Sequence, residues 1–383
     1  MTSINLARYE YSKRLSISFL FVIALVACAK TSIPTPILSG IVQITAGWRH
    51  TCALTAEGRV RCWGNNLDGQ LGDGTQVNRK TPEGVVGLII AAKEISAGSR
   101  HTCALTTAES VRCWGNNRDR QLGDGTNIDR VAPVDVVGLT SGMRAVTAGE
   151  GHTCALTTAG NVKCWGNNRE GQLGDGTTVS RNTPVNVDGL TNRVSMITAG
   201  LRHTCVLTIA GSVKCWGNNQ DGQLGDGTTV GRDAPVDVLA LTNGIKAITA
   251  GERHTCALTA ARGVKCWGNN RDGQLGDGTV IERVTPVDVA GLTSEVSAIT
   301  AGEWHTCALT TVGSVQCWGN NNDGQLGDGT VIKKVTPIDA MLLMNRATAI
   351  TGGGQHTCAL TPDNTNWNVN CWGSNEHGQL GYQ

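Results

Sequence analysis

Short apolar runs alternate with polar positions along the chain and never lengthen into a helical period. Ala-Ile-Thr-Ala-Gly, Cys-Ala-Leu-Thr, Val-Lys-Cys-Trp and Pro-Val-Asp-Val recur in that order, and each reads as a strand. Glycine, proline and Asn-Asp turn signals interrupt the pattern every few residues, so no helix runs through it. The unit repeats. Histidines stand at 50, 101, 152, 203, 254, 305 and 356, each 51 residues after the last, and His377 falls outside the series. Each serial histidine opens the phrase HTCALT, or HTCVLT from His203. CWG follows, then NNxDGQLGDGT with small variations. A proline lies 32 residues after each of the first six histidines: Pro82, Pro133, Pro184, Pro235, Pro286 and Pro337.

Four strands repeated seven times predict an all-β fold, a seven-bladed β-propeller with four antiparallel strands per blade, over residues 36–383. Repeat seven lacks its Pro-Val strand, and Thr35-Pro36-Ile37-Leu38 offers that strand just ahead of Ile41. The N-terminal strand is therefore expected to complete the last blade and remove exposed sheet edges. An open solenoid would want atypical capping repeats instead, and none is visible.

Composition narrows the function. The chain has 383 residues, of which 40% are hydrophobic and 16% charged, with a net charge of +1. That excludes disorder as the main state and gives no electrostatic case for a nucleic-acid partner. Fifteen cysteines are too dense for a typical cytosolic protein. Fourteen of them form pairs: Cys52 with Cys62, Cys103 with Cys113, Cys154 with Cys164, Cys205 with Cys215, Cys256 with Cys266, Cys307 with Cys317 and Cys358 with Cys371. In the hairpin Thr51 to Trp63, cross-strand partners should sum to 114, so that Leu54 faces Val60, Cys52 faces Cys62 and the loop is Ala56-Glu57-Gly58. Opposed residues on antiparallel strands lie roughly 4.5–5.5 Å apart at Cα, within disulfide reach. In repeat seven the three extra residues are placed in the turn, Pro362 to Asn368. Seven disulfides are the favoured reading. Buried free thiols are one alternative, and zinc held by His50, Cys52 and Cys62 is another, although it would be one ligand short of a structural site.

Repeated spacing of this kind is itself a signature. The phrase HTCALT…G-x-V-x-CWG-x-N-x-x-GQLGDGT…P-V-x-V, from about Pro36 to Gln383, resembles the regulator of chromosome condensation repeat, whose members form seven-bladed propellers. The resemblance implies the fold more strongly than the function. The family includes a nuclear nucleotide-exchange factor for a small GTPase and a secreted bacterial inhibitor of β-lactamases.

Cys28 is left over. It ends the apolar run Leu15 to Ala27, which follows Lys13-Arg14. A basic start, a short apolar stretch and small residues before the cut are the anatomy of a secretory signal. Leu25-Val26-Ala27-Cys28 resembles a bacterial lipobox, giving a signal peptide over 1–27, a lipidated Cys28 and a short tether over 28–35. Cleavage after Ala29 is the alternative. The expected destination is the outer membrane or cell surface, otherwise the periplasm or the medium, and export agrees with disulfides.

The repeated polar residues are read structurally. Seven equivalent histidines would be spread around a ring, so they are expected to fix turns by hydrogen bonds to backbone, and the CWG tryptophans to pack between blades. The Asn-Asp stretch from Asn65 to Thr75 lacks the spacing of a calcium loop and is read as turns. Arg79, Arg130, Arg181, Arg232, Arg283 and Lys334 each follow an aspartate by six residues, which suggests pairing within a blade. In repeat two, Glu109 and Arg120 stand where the other repeats favour glycine, so a strained turn is expected at Arg120. No nucleophile elbow, P-loop or dinucleotide fingerprint is present, and no catalytic residue, metal or cofactor is assigned.

The two residues before each histidine vary most, and the topology places them on one rim. Trp48, Arg49, Arg100, Glu150, Leu201, Arg202, Glu252, Arg253, Glu303 and Trp304 are the candidate partner-binding set, since tryptophan and arginine are typical of interface hot spots. The expectation is an exported, non-catalytic, monomeric scaffold, held to a membrane only by its lipid and binding a protein or other macromolecule through one rim. Guanine-nucleotide exchange on a GTPase and a carbohydrate-active enzyme are the alternatives.

Overall fold

The computed structural model describes residues 40–190, 193–292, 294–341, 343, 346–362 and 367–381. The signal peptide, Cys28, the tether and the closing strand Thr35–Leu38 lie outside the described residues.

The described chain is all β. Six four-stranded antiparallel sheets follow in sequence order, and a seventh sheet contributes three strands, Ala349–Gly352, His356–Pro362 and Trp367–Gly373. Blade one shows the unit: Ile41–Ala46, His50–Thr55, Val60–Gly64 and Arg79–Gly84, each paired to the next. The protein is a seven-bladed β-propeller.

The hairpin register is the expected one. Leu54 pairs with Val60 and Cys52 with Cys62, and Thr55 N–H donates to Arg59 O at 2.9 Å, leaving Ala56-Glu57-Gly58 as the loop. Gly58 takes φ 77°, the left-handed position such loops need. A disulfide joins the second and third strands of every blade, with Cα atoms 4.1 Å apart in each. In chain order Cys52 is bonded to Cys62, Cys103 to Cys113, Cys154 to Cys164 and Cys205 to Cys215. Cys256 is bonded to Cys266, Cys307 to Cys317 and Cys358 to Cys371. These are the expected partners. The bonds leave neither free thiols nor thiolate ligands for zinc at those positions.

Repeat seven differs in one respect. Its extra residues lengthen the ladder, pairing Thr361 with Asn368 and Pro362 with Trp367, rather than all entering the turn. An antiparallel ladder grows by whole residue pairs, so an insertion can extend both strands while Cys358 still faces Cys371.

The second strand of each blade is buried almost throughout, because neighbouring blades cover both faces. The core is consequently divided into inter-blade layers. One layer packs Leu105, Val111 and Leu122 of blade two against Met143, Val146 and Trp165 of blade three. The layer that closes the ring packs Ile41, Ile44, Ala53 and Trp63 of blade one against Leu360 and Leu380 of blade seven. First and last blades therefore meet through side chains within the described residues. Inner strands converge at glycine, where a Cβ on Gly47 would collide with Gly98 O and with the His50 ring.

Candidate functional site: the channel mouth and the blade seams

Each serial histidine closes its turn with its own carbonyl, as His50 O accepts from Gly47 N–H at 2.8 Å, but its ring does not bond to backbone. Each ring reaches sideways to the threonine hydroxyl of the next blade: His50 Nε2 lies 2.9 Å from Thr102 Oγ1, His101 2.8 Å from Thr153, and the series ends with His356 2.9 Å from Thr51. Each such threonine hydroxyl donates to a glutamine carbonyl, as Thr102 does to Gln70 O at 2.8 Å, so its oxygen must accept from histidine Nε2–H. The tryptophan of CWG donates to the same carbonyl, Trp114 Nε1 to Gln70 O at 3.0 Å. The histidine, threonine and tryptophan side chains are buried, and burial holds the imidazoles neutral, with pKa values lowered to about 3 for His50 and about 4 for His152. This is a structural belt rather than a reactive one. The aspartate–arginine pairs are also structural: Arg79 Nε donates to Asp73 at 2.7 Å and Arg130 binds Asp124 at 2.7 Å.

The variable pairs gather at one mouth of the central channel. A cavity of about 240 Å³ is walled there by the Ala-Gly ends of six inner strands and by Gly352-Gly353 of the seventh, together with Trp48, Glu150, Leu201, Arg202, Glu252, Arg253 and Glu303. Arg49 and Arg100 flank Trp48, with their guanidinium carbons 4.8 and 5.6 Å from the ring centroid, and face a second cleft. Trp304 lies beneath Arg253 at 5.8 Å. The ten candidate residues thus share one face, as their place in the turn between first and second strands dictates.

Two interactions on this face were not legible from single positions. Trp48 Nε1 donates to Glu303 Oε2 at 2.6 Å, passing over Gly354 of the intervening blade, where a Cβ would collide with the indole. Glu252 lies beside Glu303, and its pKa is pushed up to about 8, first by burial and then by the hydrogen bond and charge of Glu303, with Arg253 opposing.

The second feature is a regular seam between blades. An acidic residue in the loop of one blade accepts from an asparagine of the next: Asn116 Nδ2 to Asp68 at 2.9 Å, Asn167 to Asp119 at 2.9 Å, Asn218 to Glu170 at 3.0 Å and Asn269 to Asp221 at 2.8 Å. The residue before the next histidine adds a cation at several seams, with Arg100 3.9 Å from Asp68, Arg202 3.9 Å from Glu170 and Arg253 3.6 Å from Asp221.

Sequence comparison assigns the family. A profile described as the RCC1-like domain matches residues 138–383, and profiles of the regulator of chromosome condensation (RCC1) repeat match 41–70 and 92–121, and 57–105 and 110–156. The chain belongs to the RCC1 repeat family. It is 32% identical over 352 residues to the ultraviolet-B receptor UVR8 of Arabidopsis thaliana, covering 89% of this chain and 78% of that one. It is also 32% identical over 349 residues to the human E3 ubiquitin-protein ligase HERC2, which covers 86% of this chain but only 7% of the ligase. Among solved structures, Prp20p of Saccharomyces cerevisiae, described with its binding properties to Gsp1p and histones, superposes with a TM-score of 0.72 at 22% identity, over 88% of this chain and 84% of that one. At that identity the likeness concerns the RCC1 fold alone.

Proposed function

We propose that this protein is an exported, lipid-anchored RCC1-type propeller that binds a protein partner through the face around the channel mouth, without catalysis. The observation that carries the reading is the convergence of the variable positions, rich in tryptophan and arginine, on one face of an otherwise uniform ring. Rigidity supports it. A disulfide in every blade and a buried hydrogen-bonded belt pre-organise the face, which reduces the conformational entropy lost on binding. Export through the signal at 1–27 and anchoring at Cys28 fit a scaffold whose fourteen buried sulfurs are oxidised, since such bonds persist outside the reducing cytosol.

Relatives named for partner binding, such as Prp20p with Gsp1p and histones, make a protein ligand the natural class. The test is surface crosslinking and capture from the source cell with the intact protein and with a triple variant carrying Trp48→Ala, Arg49→Ala and Trp304→Ala. The reading expects one specific partner for the intact chain and its loss in the variant at unchanged Tm. Equal capture by both would overturn it, and labelling of Cys28 by a fatty-acid analogue checks the anchor.

A further inference from the structure

The seam between blades seven and one departs from the four seams whose acidic residue accepts from the next blade's asparagine. Aligning CWGSNEHGQLG of repeat seven on CWGNNLDGQLG of repeat one places His377 where blade one has Asp68. The incoming groups are unchanged. Arg49 of blade one presents Nη1 to His377 Nε2 at 3.1 Å, and Asn65 presents Nδ2 to His377 Nδ1 at 3.3 Å. The Asn65 amide cannot turn over to resolve this, because its Oδ1 already accepts from Gln70 Nε2 at 2.7 Å and Leu67 N at 3.3 Å. A carboxylate accepts from both an arginine and an asparagine, whereas a neutral imidazole has a single acceptor nitrogen. Partial burial first, and the Arg49 charge second, lower the His377 pKa and so disfavour the imidazolium, which would offer these donors no acceptor nitrogen at all. One donor at this seam therefore lacks its acceptor, and among the described residues no carboxylate lies within ion-pair distance of Arg49.

The surroundings form a receptacle for the missing group. A cleft of about 270 Å³ opens beside His377, walled by Trp48, Arg49, Arg100, Arg118 and Asp68. Three guanidiniums face one carboxylate, and Asp68 is 3.9 Å from both Arg100 and Arg118. Arg118 also meets Asp129 at 3.7 Å. Arg49 and Arg100 straddle the Trp48 ring, which gives the cleft an apolar wall between two cations.

We propose that this cleft binds a carboxylate side chain from an acidic segment of the partner, which completes at the 7/1 seam the acceptor that the other seams carry internally. The proposal rests on the reading that this face binds a protein, and it specifies the partner's chemistry there. Arg49 supplies a planar pair of N–H donors suited to a carboxylate, and Arg100 supplies a second charge.

Hexaglutamate is the probe, with its affinity for the intact protein measured calorimetrically at low and high salt. The informative variant is His377→Asp, which installs the acceptor found in other blades and should fold at least as stably as the parent. His377→Asp and Arg49→Ala should each weaken hexaglutamate by about tenfold or more, the scale of a lost charged hydrogen bond, while Arg271→Ala, whose guanidinium is paired with Glu282 at 3.0 Å away from the cleft, stays within about twofold. Parental affinity in His377→Asp, equal loss in Arg271→Ala, absence of hexaglutamate binding, or tighter capture of pyrophosphate than of hexaglutamate would each overturn the proposal. If the partner is still lost with Trp304→Ala while hexaglutamate fails to bind, the cleft assignment falls and the binding face stands.

Discussion

Trp48 and Glu303 are hydrogen-bonded at 2.6 Å although they belong to blades one and six. The contact exists because blade seven offers Gly354 between them, whose missing side chain leaves room for the indole. Gly354→Ala should therefore act on Trp48 rather than on its own strand. A Cβ there would also lie 2.6 Å from Trp48 O, so the cost should reach about 1–3 kcal/mol, the range for overpacking. Denaturant unfolding of Gly354→Ala, Trp48→Ala and the double variant checks this. The two changes should be less than additive, because removing the indole relieves part of the clash.

Stability should depend on pH in two opposing ways. The seven belt histidines have folded pKa values of about 3 to 4, below their ordinary 6.5, because burial disfavours the charged ring. Their contribution is complete above pH 6.5 and is lost as pH falls, by about 1.4 kcal/mol per pH unit for each ring. Glu94 has the opposite sign. Burial raises its pKa to about 7, against the hydrogen bond from Val146 N, so its contribution is complete below about pH 4.5 and is lost as pH rises to about 7. Seven rings outweigh one carboxyl on the acid side, and cooperative unfolding should set in before pH 4. Chemical denaturation along a pH series measures the slope, and a flat response between pH 6.5 and 4.5 would contradict the neutral belt.

Glu94→Gln separates the second effect. The equivalent residue of blade one, Gln43, both donates to Ile95 O and accepts from Ile95 N, each at 3.0 Å, in the manner of a ladder pair. Glu94 can make only the accepting half when ionised. The glutamine variant should gain stability on the order of 3 kcal/mol near pH 8 and almost nothing near pH 5. Thermal melts of both proteins at the two pH values read the difference directly.

How far the sequence revealed this depends on whether a contact is local. The hairpin register, the cysteine pairs and the Asp73–Arg79 pair join residues within one blade, and spacing alone was enough to place them. The histidine bridge was misassigned to backbone because its acceptor, Thr102 for His50, belongs to the next blade and becomes adjacent only through stacking. The role of His377 was legible in principle. It shares a column with Asp68, but the 51-residue histidine series draws attention to its being out of register and hides that it replaces an aspartate. The Trp48 reach over Gly354 depends on ring closure and on a side chain that is absent, which no spacing displays, whereas Glu252 and Glu303 share one column 51 residues apart and meet through blade stacking. Arg120 was expected to be strained, and it does adopt φ 69°.

Sevenfold repetition allows the disulfides to be tested against themselves. Paired Cys→Ser replacement in one blade removes a cross-link between residues ten apart, which should cost somewhat under about 3 kcal/mol in the chain-entropy account. Blades two and five share no inter-blade layer, so replacing Cys103 and Cys113 in one and Cys256 and Cys266 in the other should give additive losses. Blades two and three do share a layer, so replacing Cys154 and Cys164 alongside Cys103 and Cys113 should couple. Alkylation of the intact protein should label none of the fourteen paired cysteines without reductant.

The closing seam should differ from the others, because its contacts join residues 305 and 328 apart in sequence. Thr51 links both sides of it, accepting from His356 Nε2 and donating to Gln379 O at 2.8 Å. Thr204 makes the same two contacts between blades that the chain already joins, to His152 and Gln172. Thr51→Val and Thr204→Val each leave one buried imidazole N–H without an acceptor, a cost of about 1–3 kcal/mol. Hydrogen exchange distinguishes them. Thr51→Val should lower protection together in His50–Thr55 and His356–Pro362, as the ring opens where its contacts are most distant in sequence, whereas Thr204→Val should lower global stability without a preferential opening there. Identical exchange patterns in the two variants would show that sequence separation does not govern where this ring opens.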